Sequence, residues 1–173
     1  ESSAASLLGL SRGPDRGALT QLETEGLLVK LEGRGYKIRP FSLEDLEKAS
    51  EVRAALEALA AGRLASLGPS QETVAAIESS IAMTEGIVSR SAVTRREVAI
   101  YQEANELFHT TIVDACDNDF VRLGLEKIAN IPIVAPGAFT EVEGMAQAEM
   151  LRITVGHTQH VIIWDAIRAG DAV

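Results

Sequence analysis

The sequence predicts a mainly α-helical chain in two parts, an N-terminal winged helix-turn-helix and a C-terminal all-α helical bundle. Three observations predict it. Apolar residues make up 46% of the 173 residues while aromatics make up only 4%. Ala, Leu and Glu dominate, and these favour helix over sheet. Residues 1–40 carry the short, Gly-punctuated elements of a winged motif. From residue 42 onward, long helical stretches alternate with caps and Pro or Gly breaks.

Each element has its own signal. Residues 3–8 read as a short helix and Gly9-Leu10-Ser11 as a tight turn. Ser11 is placed to N-cap a second helix, with Pro14 in the first turn, where a missing N–H costs nothing. Leu19, Leu22 and Leu27 form its apolar stripe, interrupted at Gly26. Leu28–Glu32 and Tyr36–Pro40 flank Gly33-Arg34-Gly35, two short runs about a Gly-rich turn, which predicts a β-hairpin wing. Ser42-Leu43-Glu44-Asp45 opens a helix to about Ser66, and Ser70-Gln71-Glu72 opens the next, to about Arg90. A third helix is predicted over about Arg96–Asp117, a fourth from Asp119 until before Pro132, and a last over about Ala146–Ala169. Residues 132–145, with two prolines and two glycines, read as a loop. Two domains follow, residues 1–40 and 41–173.

Charge and cysteine content narrow the classes. The net charge is −9, yet residues 1–40 hold six basic and five acidic side chains, so about −10 falls on the rest. A neutral-to-basic head on an acidic body suits a nucleic-acid reader joined to a sensor, and suits an acidic enzyme equally. The single Cys116 excludes an internal disulfide framework and a zinc site of several thiolates. No signal peptide and no apolar run of about 18 residues is present, so a cytoplasmic protein without membrane association is expected. Gly9-Leu10-Ser11-Arg12-Gly13 matches the G-x-S-x-G elbow of hydrolases. That elbow needs a buried strand before the serine, and an Ala/Ser/Leu helix is expected there instead.

Candidate site residues sit on two helices of the bundle. Asn105 and His109 are spaced i, i+4 and share one face; His157 and His160 are spaced i, i+3. A bundle builds sites in its core from such facing helices, and imidazoles with an amide oxygen suit Zn, Ni or a similar divalent ion. Arg53 lies in an otherwise apolar stretch, so it either pairs with an acidic neighbour or holds an anion. Phe108, Ile112 and Leu123 are expected to line the core or a pocket wall, and Cys116 and Trp164 to pack in it.

Four stretches together resemble the GntR family of transcription regulators, in the FadR-type branch with an FCD effector domain. They are Leu10–Pro14 with Arg16 and Ala18-Leu19; Leu22–Leu27; Gly33–Tyr36 with Arg39-Pro40; and Val52–Glu57. Phe108-His109 after Asn105, and His160 before Asp165–Asp171, extend the match over almost the whole chain. The resemblance implies a ligand-responsive DNA-binding regulator, a repressor by expectation, and not an enzyme. It places Ser11, Arg12, Gly13 and Arg16 at the N-terminal end of the recognition helix, with Arg34 and Gly35 at the wing tip. Arg can hold guanine O6 and N7 bidentately, and a helix N-terminus can take a phosphate. It also implies Asn105, His109 and His160 as metal ligands, a small carboxylate effector near the metal, and a homodimer on a palindromic operator. Arg53 is assigned to hold that carboxylate, and His157, off the usual ligand position, either supports the ligands from behind or contacts the effector. By the family pattern, the first helix of the winged domain and the last effector helix, with one more histidine ligand, would lie outside this sequence. Two departures stand out: Asp15 replaces an apolar residue and Gly17 an acidic one. The rival readings are a metal-dependent helical-bundle enzyme and a sensor that has lost DNA binding.

Overall fold

The computed structural model describes residues 12–32, 35–129 and 145–172, with side chains of 12–16 and 145–146 outside the description. It is mainly helical: α1 (Arg12–Thr24), β1 (Leu28–Lys30), β2 (Tyr36–Ile38), α2 (Leu43–Leu67), α3 (Gln71–Val88), α4 (Arg95–Ala115), α5 (Asp119–Ala129) and α6 (Met145–Ala169). The expected short helix over 3–8, the turn at 9–11 and residues 132–144 of the expected loop lie outside the described residues. The described chain falls into two compact units. One holds the residues up to Glu51 with Glu126–Ala129, the other Val52–Leu125 and the residues from Met145 on.

In the first unit, α1 packs against β1. Leu19, Leu22 and Leu27 are half-buried along its stripe. The helix stops where the sequence puts Gly26, which has φ +78°. The Leu27 amide donates to the Leu22 carbonyl at 2.9 Å and the Gly26 amide to the Glu23 carbonyl at 3.0 Å. This is the paired closure of a Schellman motif, and it needs a left-handed residue at Gly26. The chain is thereby turned into β1, which pairs antiparallel with β2 in the register Leu28↔Ile38, Val29↔Lys37, Lys30↔Tyr36. Helix followed at once by hairpin is the second half of the predicted winged motif.

Helix starts in the second part follow the caps. Ser70 accepts from the Thr73 amide at 3.1 Å and caps α3. Thr94 and Glu97 form a reciprocal capping box at α4, with Glu97 also 2.7 Å from Arg90. At the other end of α4, Arg63 of α2 donates to the carbonyls of Cys116 (2.8 Å) and Asp117 (2.7 Å). Those are acceptors a helix C-terminus leaves open, and a cation is favoured there.

Within the helical unit α3 packs most extensively on α4, and both contact α6. The main core joins Leu64 (α2), Ile77 (α3), Phe108, Ile112 and Cys116 (α4 and its cap), Val121 (α5) and Trp164 and Ile167 (α6). A second cluster joins Ile87, Tyr101 and Ile153. Phe108, Ile112, Cys116 and Trp164 are therefore buried as expected. Leu123 is not: it is 48% exposed, because within α5 the buried residue is Val121, and Leu123 two positions on faces away.

Candidate functional site

Three helices bring chemistry together in the helical unit. α4 supplies Asn105, Phe108 and His109; α6 supplies His157, His160 and Trp164; α2 supplies Arg53 and Glu57. Phe108 is fully buried and acts as the plate on which the site is built. The His160 ring stacks on it at 4.0 Å between centroids and 13° between planes, and the His109 ring meets its edge at 5.5 Å. His109 and His160 then lie 5.2 Å apart, centroid to centroid, at 80°. Asn105 is half-buried one turn before His109 on the same face of α4.

The electrostatics keep both imidazoles neutral. Burial pushes His160 down to about 4, with the nearby His109 and His157 adding to the effect. His109 is also lowered, by burial first, against the opposing pull of Glu57. Neutral imidazole is the form that ligates metal. It also makes stability pH-dependent. An unfolded histidine takes up a proton near pH 6.5, while His160 in the fold resists protonation down to about 4, so the unfolded state gains protons first and stability falls as pH drops through that window. With solvent screening discounted, urea unfolding of the metal-free protein is expected to show about 1–2 kcal/mol less stability at pH 5 than at pH 7.5. Asp45 and Glu97, whose carboxyls are lowered by hydrogen bonds from Ser42 and Thr94 respectively, also lose stabilisation as the unfolded carboxyls take up protons, but their ordinary values of 3.8 and 4.5 put most of that loss below pH 5 and outside the pH 7.5-to-5 comparison. His160→Gln is expected to flatten the difference; an equally steep profile in that variant would refute the assignment.

Arg53 is engaged within its own helix: its Nε lies 2.7 Å from Glu57 Oε1, an i, i+4 ion pair. The other oxygen of Glu57 lies 3.4 Å from His109 Nδ1. His157 Nδ1 lies 2.8 Å from the hydroxyl of Thr84 on α3, which is itself 3.0 Å from the Ile81 carbonyl. Glu57 and Thr84 are the site residues that sequence reasoning missed. The i, i+4 spacing of Arg53 and Glu57 was a visible signal; nothing local pointed to Thr84.

Whether a divalent ion fits can be judged from the donors. Two imidazoles bound to one tetrahedral ion at the usual Zn–N length hold their centroids roughly 5 Å apart, close to the spacing of His109 and His160. Among the described residues no three His, Cys, Asp or Glu side chains are grouped to hold a metal ion. The spacing of the two histidines suits an ion, and a third protein donor would have to come from an amide such as Asn105 or from a side-chain rotation.

For nucleic acid, the backbone of Arg12, Gly13 and Arg16 lies in the first two turns of α1. Ser11 and Arg34 lie outside the described residues. Gly35 has φ +113°, and its carbonyl accepts from the Leu31 amide at 3.0 Å at the hairpin end. Among the described residues no helix is long and apolar enough to cross a membrane.

Comparison with known proteins agrees with this architecture. The family model of the FCD domain matches residues 48–173. An uncharacterized HTH-type transcriptional regulator from the TAR-I ttuE-ttuC' intergenic region of Agrobacterium vitis is 37% identical over 111 residues, 63% of this chain and 61% of the relative. The uncharacterized HTH-type transcriptional regulator YdhC of Bacillus subtilis (strain 168) is 26% identical over 131 residues, 76% of this chain and 56% of the relative. The chain thus spans about three fifths of the length of these relatives. A solved chain described with the words "Lar controls the expression of the Listeria monocytogenes agr system and mediates virulence" shares the fold at a TM-score of 0.53 and 14% identity, over 99% of this chain and 84% of that one. The chain belongs to the FCD domain family.

Proposed function

We propose that this chain is the operator-reading and sensing part of a transcription regulator, a repressor released from or locked onto DNA by a small organic acid at a metal-bearing site. The observation that carries it is the order of parts: a helix closed by Gly26 into a β-hairpin, then the FCD domain from residue 48. Both curated relatives are named HTH-type transcriptional regulators, and neither is named as an enzyme, which sets the helical-bundle hydrolase aside. Arg12, Gly13 and Arg16 read the major groove, Ser11 takes a phosphate, and Arg34 with Gly35 touches the backbone or minor groove. A homodimer matches two half-sites of a palindrome.

In the helical unit His109, His160 and Asn105 hold Zn or Ni, which when bound supplies a positive centre for a carboxylate. Arg53 and His157 flank it. Trp164 supports a ligand beside them: its Nε1 is buried, has no hydrogen-bond partner among the described residues, and lies one turn past His160. A buried donor left unpaired costs about 1–3 kcal/mol, so an acceptor on a bound acid would be favoured there. Ligand binding then shifts the bundle between arrangements and changes the DNA affinity of the dimer.

The test is fluorescence anisotropy on a randomised pool of palindromic duplexes, selected and then repeated with Arg12→Ala. Selective binding that weakens at least about tenfold in the variant, and falls steeply with salt, is the expected result. A protein that binds metal and an organic acid yet ignores every duplex would instead be a sensor without DNA binding, the reading that Asp15 and Gly17 favour.

A further inference from the structure

Glu57 lies outside the ligand set and the effector contacts proposed above, yet it touches both groups. One of its oxygens is anchored 2.7 Å from Arg53 Nε, and the other faces His109 Nδ1 at 3.4 Å. The carboxylate is only 22% exposed, so it is held on α2 by the arginine and aimed at a helix other than its own. Resting on the metal-site reading above, we infer that Glu57 is a positioning residue: it holds the proton of neutral His109 on Nδ1 and leaves the Nε2 lone pair for the ion shared with His160. The chemistry follows from the inventory of atoms. An ionised carboxylate only accepts hydrogen bonds, and neutral imidazole has one N–H and one lone pair. Beside Glu57 the favourable tautomer carries the proton on Nδ1, and a small closure makes the contact a charge-assisted hydrogen bond. A carboxylate behind a ligating histidine fixes the ring and raises the basicity of its other nitrogen. Asn105 brings no charge to this site, so the negative charge in contact with His109 comes from α2. Arg53, tied to Glu57, becomes the link by which an acid drawn to its remaining N–H groups would disturb the histidine.

The experiment uses the protein with 15N-labelled histidine, first free of metal and then titrated with Co2+. In the metal-free protein the His109 ring nitrogens are expected to report the Nδ1–H form, and Glu57→Ala to shift it toward Nε2–H, the form favoured in water. Co2+ affinity is expected to fall about 10- to 100-fold in Glu57→Ala, with the ligand-field spectrum keeping its shape. Glu57→Gln keeps the size and an acceptor oxygen; it is expected to retain the tautomer and still lose about tenfold in affinity. An Nε2–H His109 in the starting protein, or affinities unchanged in both variants, overturns the inference. A changed Co2+ spectrum also overturns it, by making Glu57 a ligand itself. If the starting protein takes up no Co2+, the metal reading fails, and the tautomer measurement still decides whether Glu57 holds His109.

Discussion

Phe108→Ala is expected to cost about 3–5 kcal/mol in urea unfolding, the largest effect of any single change considered for this chain. Phe108 is 0% exposed and lies in the cluster that joins α2, α3, α4, α5 and α6. Removing its ring forfeits the transfer free energy of a large apolar side chain and leaves a cavity that five helices cannot readily collapse. The same change removes the plate under His160, whose ring stacks on it at 4.0 Å. On the proposed metal site, affinity is expected to fall together with stability, because His160 loses the surface that fixes its plane. Phe108→Leu, which refills most of the volume, is expected to recover over half of the stability and less of the affinity. Phe120 provides the control: it is 81% exposed, and Phe120→Ala is expected to stay within about 0.5 kcal/mol. Equal losses at Phe108 and Phe120 would refute the central place of Phe108 in the core.

The second large effect is expected at Gly156, in the middle of α6. A Cβ built there meets the hydroxyl of Tyr101 well inside contact distance and Tyr101 Cζ at 3.1 Å. Tyr101 has little room to yield. It is 5% exposed, packs with Ile87 and Ile153, and carries the Arg152 guanidinium 4.9 Å above its ring. Two terms oppose each other in Gly156→Ala. Helix propensity favours alanine by about 1 kcal/mol, and overpacking costs about 1–3 kcal/mol or more. Because a buried aromatic ring must move, overpacking wins, and a net loss of about 2 kcal/mol is expected. The discriminating measurement is the double variant with Tyr101→Phe, which removes the clashing oxygen. It should recover much of the loss, giving a coupling of about 1 kcal/mol between the two sites. Additive effects would show that α4 and α6 do not meet at this point.

Much of the secondary structure was legible because its signals are local. Ser42 and Ser70 announce helix starts three residues ahead of Asp45 and Thr73, and Gly26 announces a stop by needing a positive φ. The predicted bounds of α1 and of the helices from α2 to α6 agree with the structure to within about two residues at each end that is described. Leu123 went wrong for the converse reason. Periodicity states that a residue lies on an apolar face, and only a neighbour decides whether that face is covered.

The sequence by itself determined the order of elements, the division of charge between head and body, and which helices carry the histidines. Those properties depend on caps, breakers and composition within a few residues. It also narrowed Arg53 to an ion pair or an anion site. Only the tertiary structure showed that the pair is Arg53 with Glu57, that Glu57 then reaches His109, and that His160 lies flat on Phe108. It alone showed Thr84 meeting His157, 73 residues away, and Tyr101 occupying the space that Gly156 leaves. The physical reason is range. A cap or a turn is decided by backbone groups one helical turn apart, whereas the meeting of α2, α4 and α6 depends on how whole helix faces pack, to a fraction of an ångström, around one buried ring.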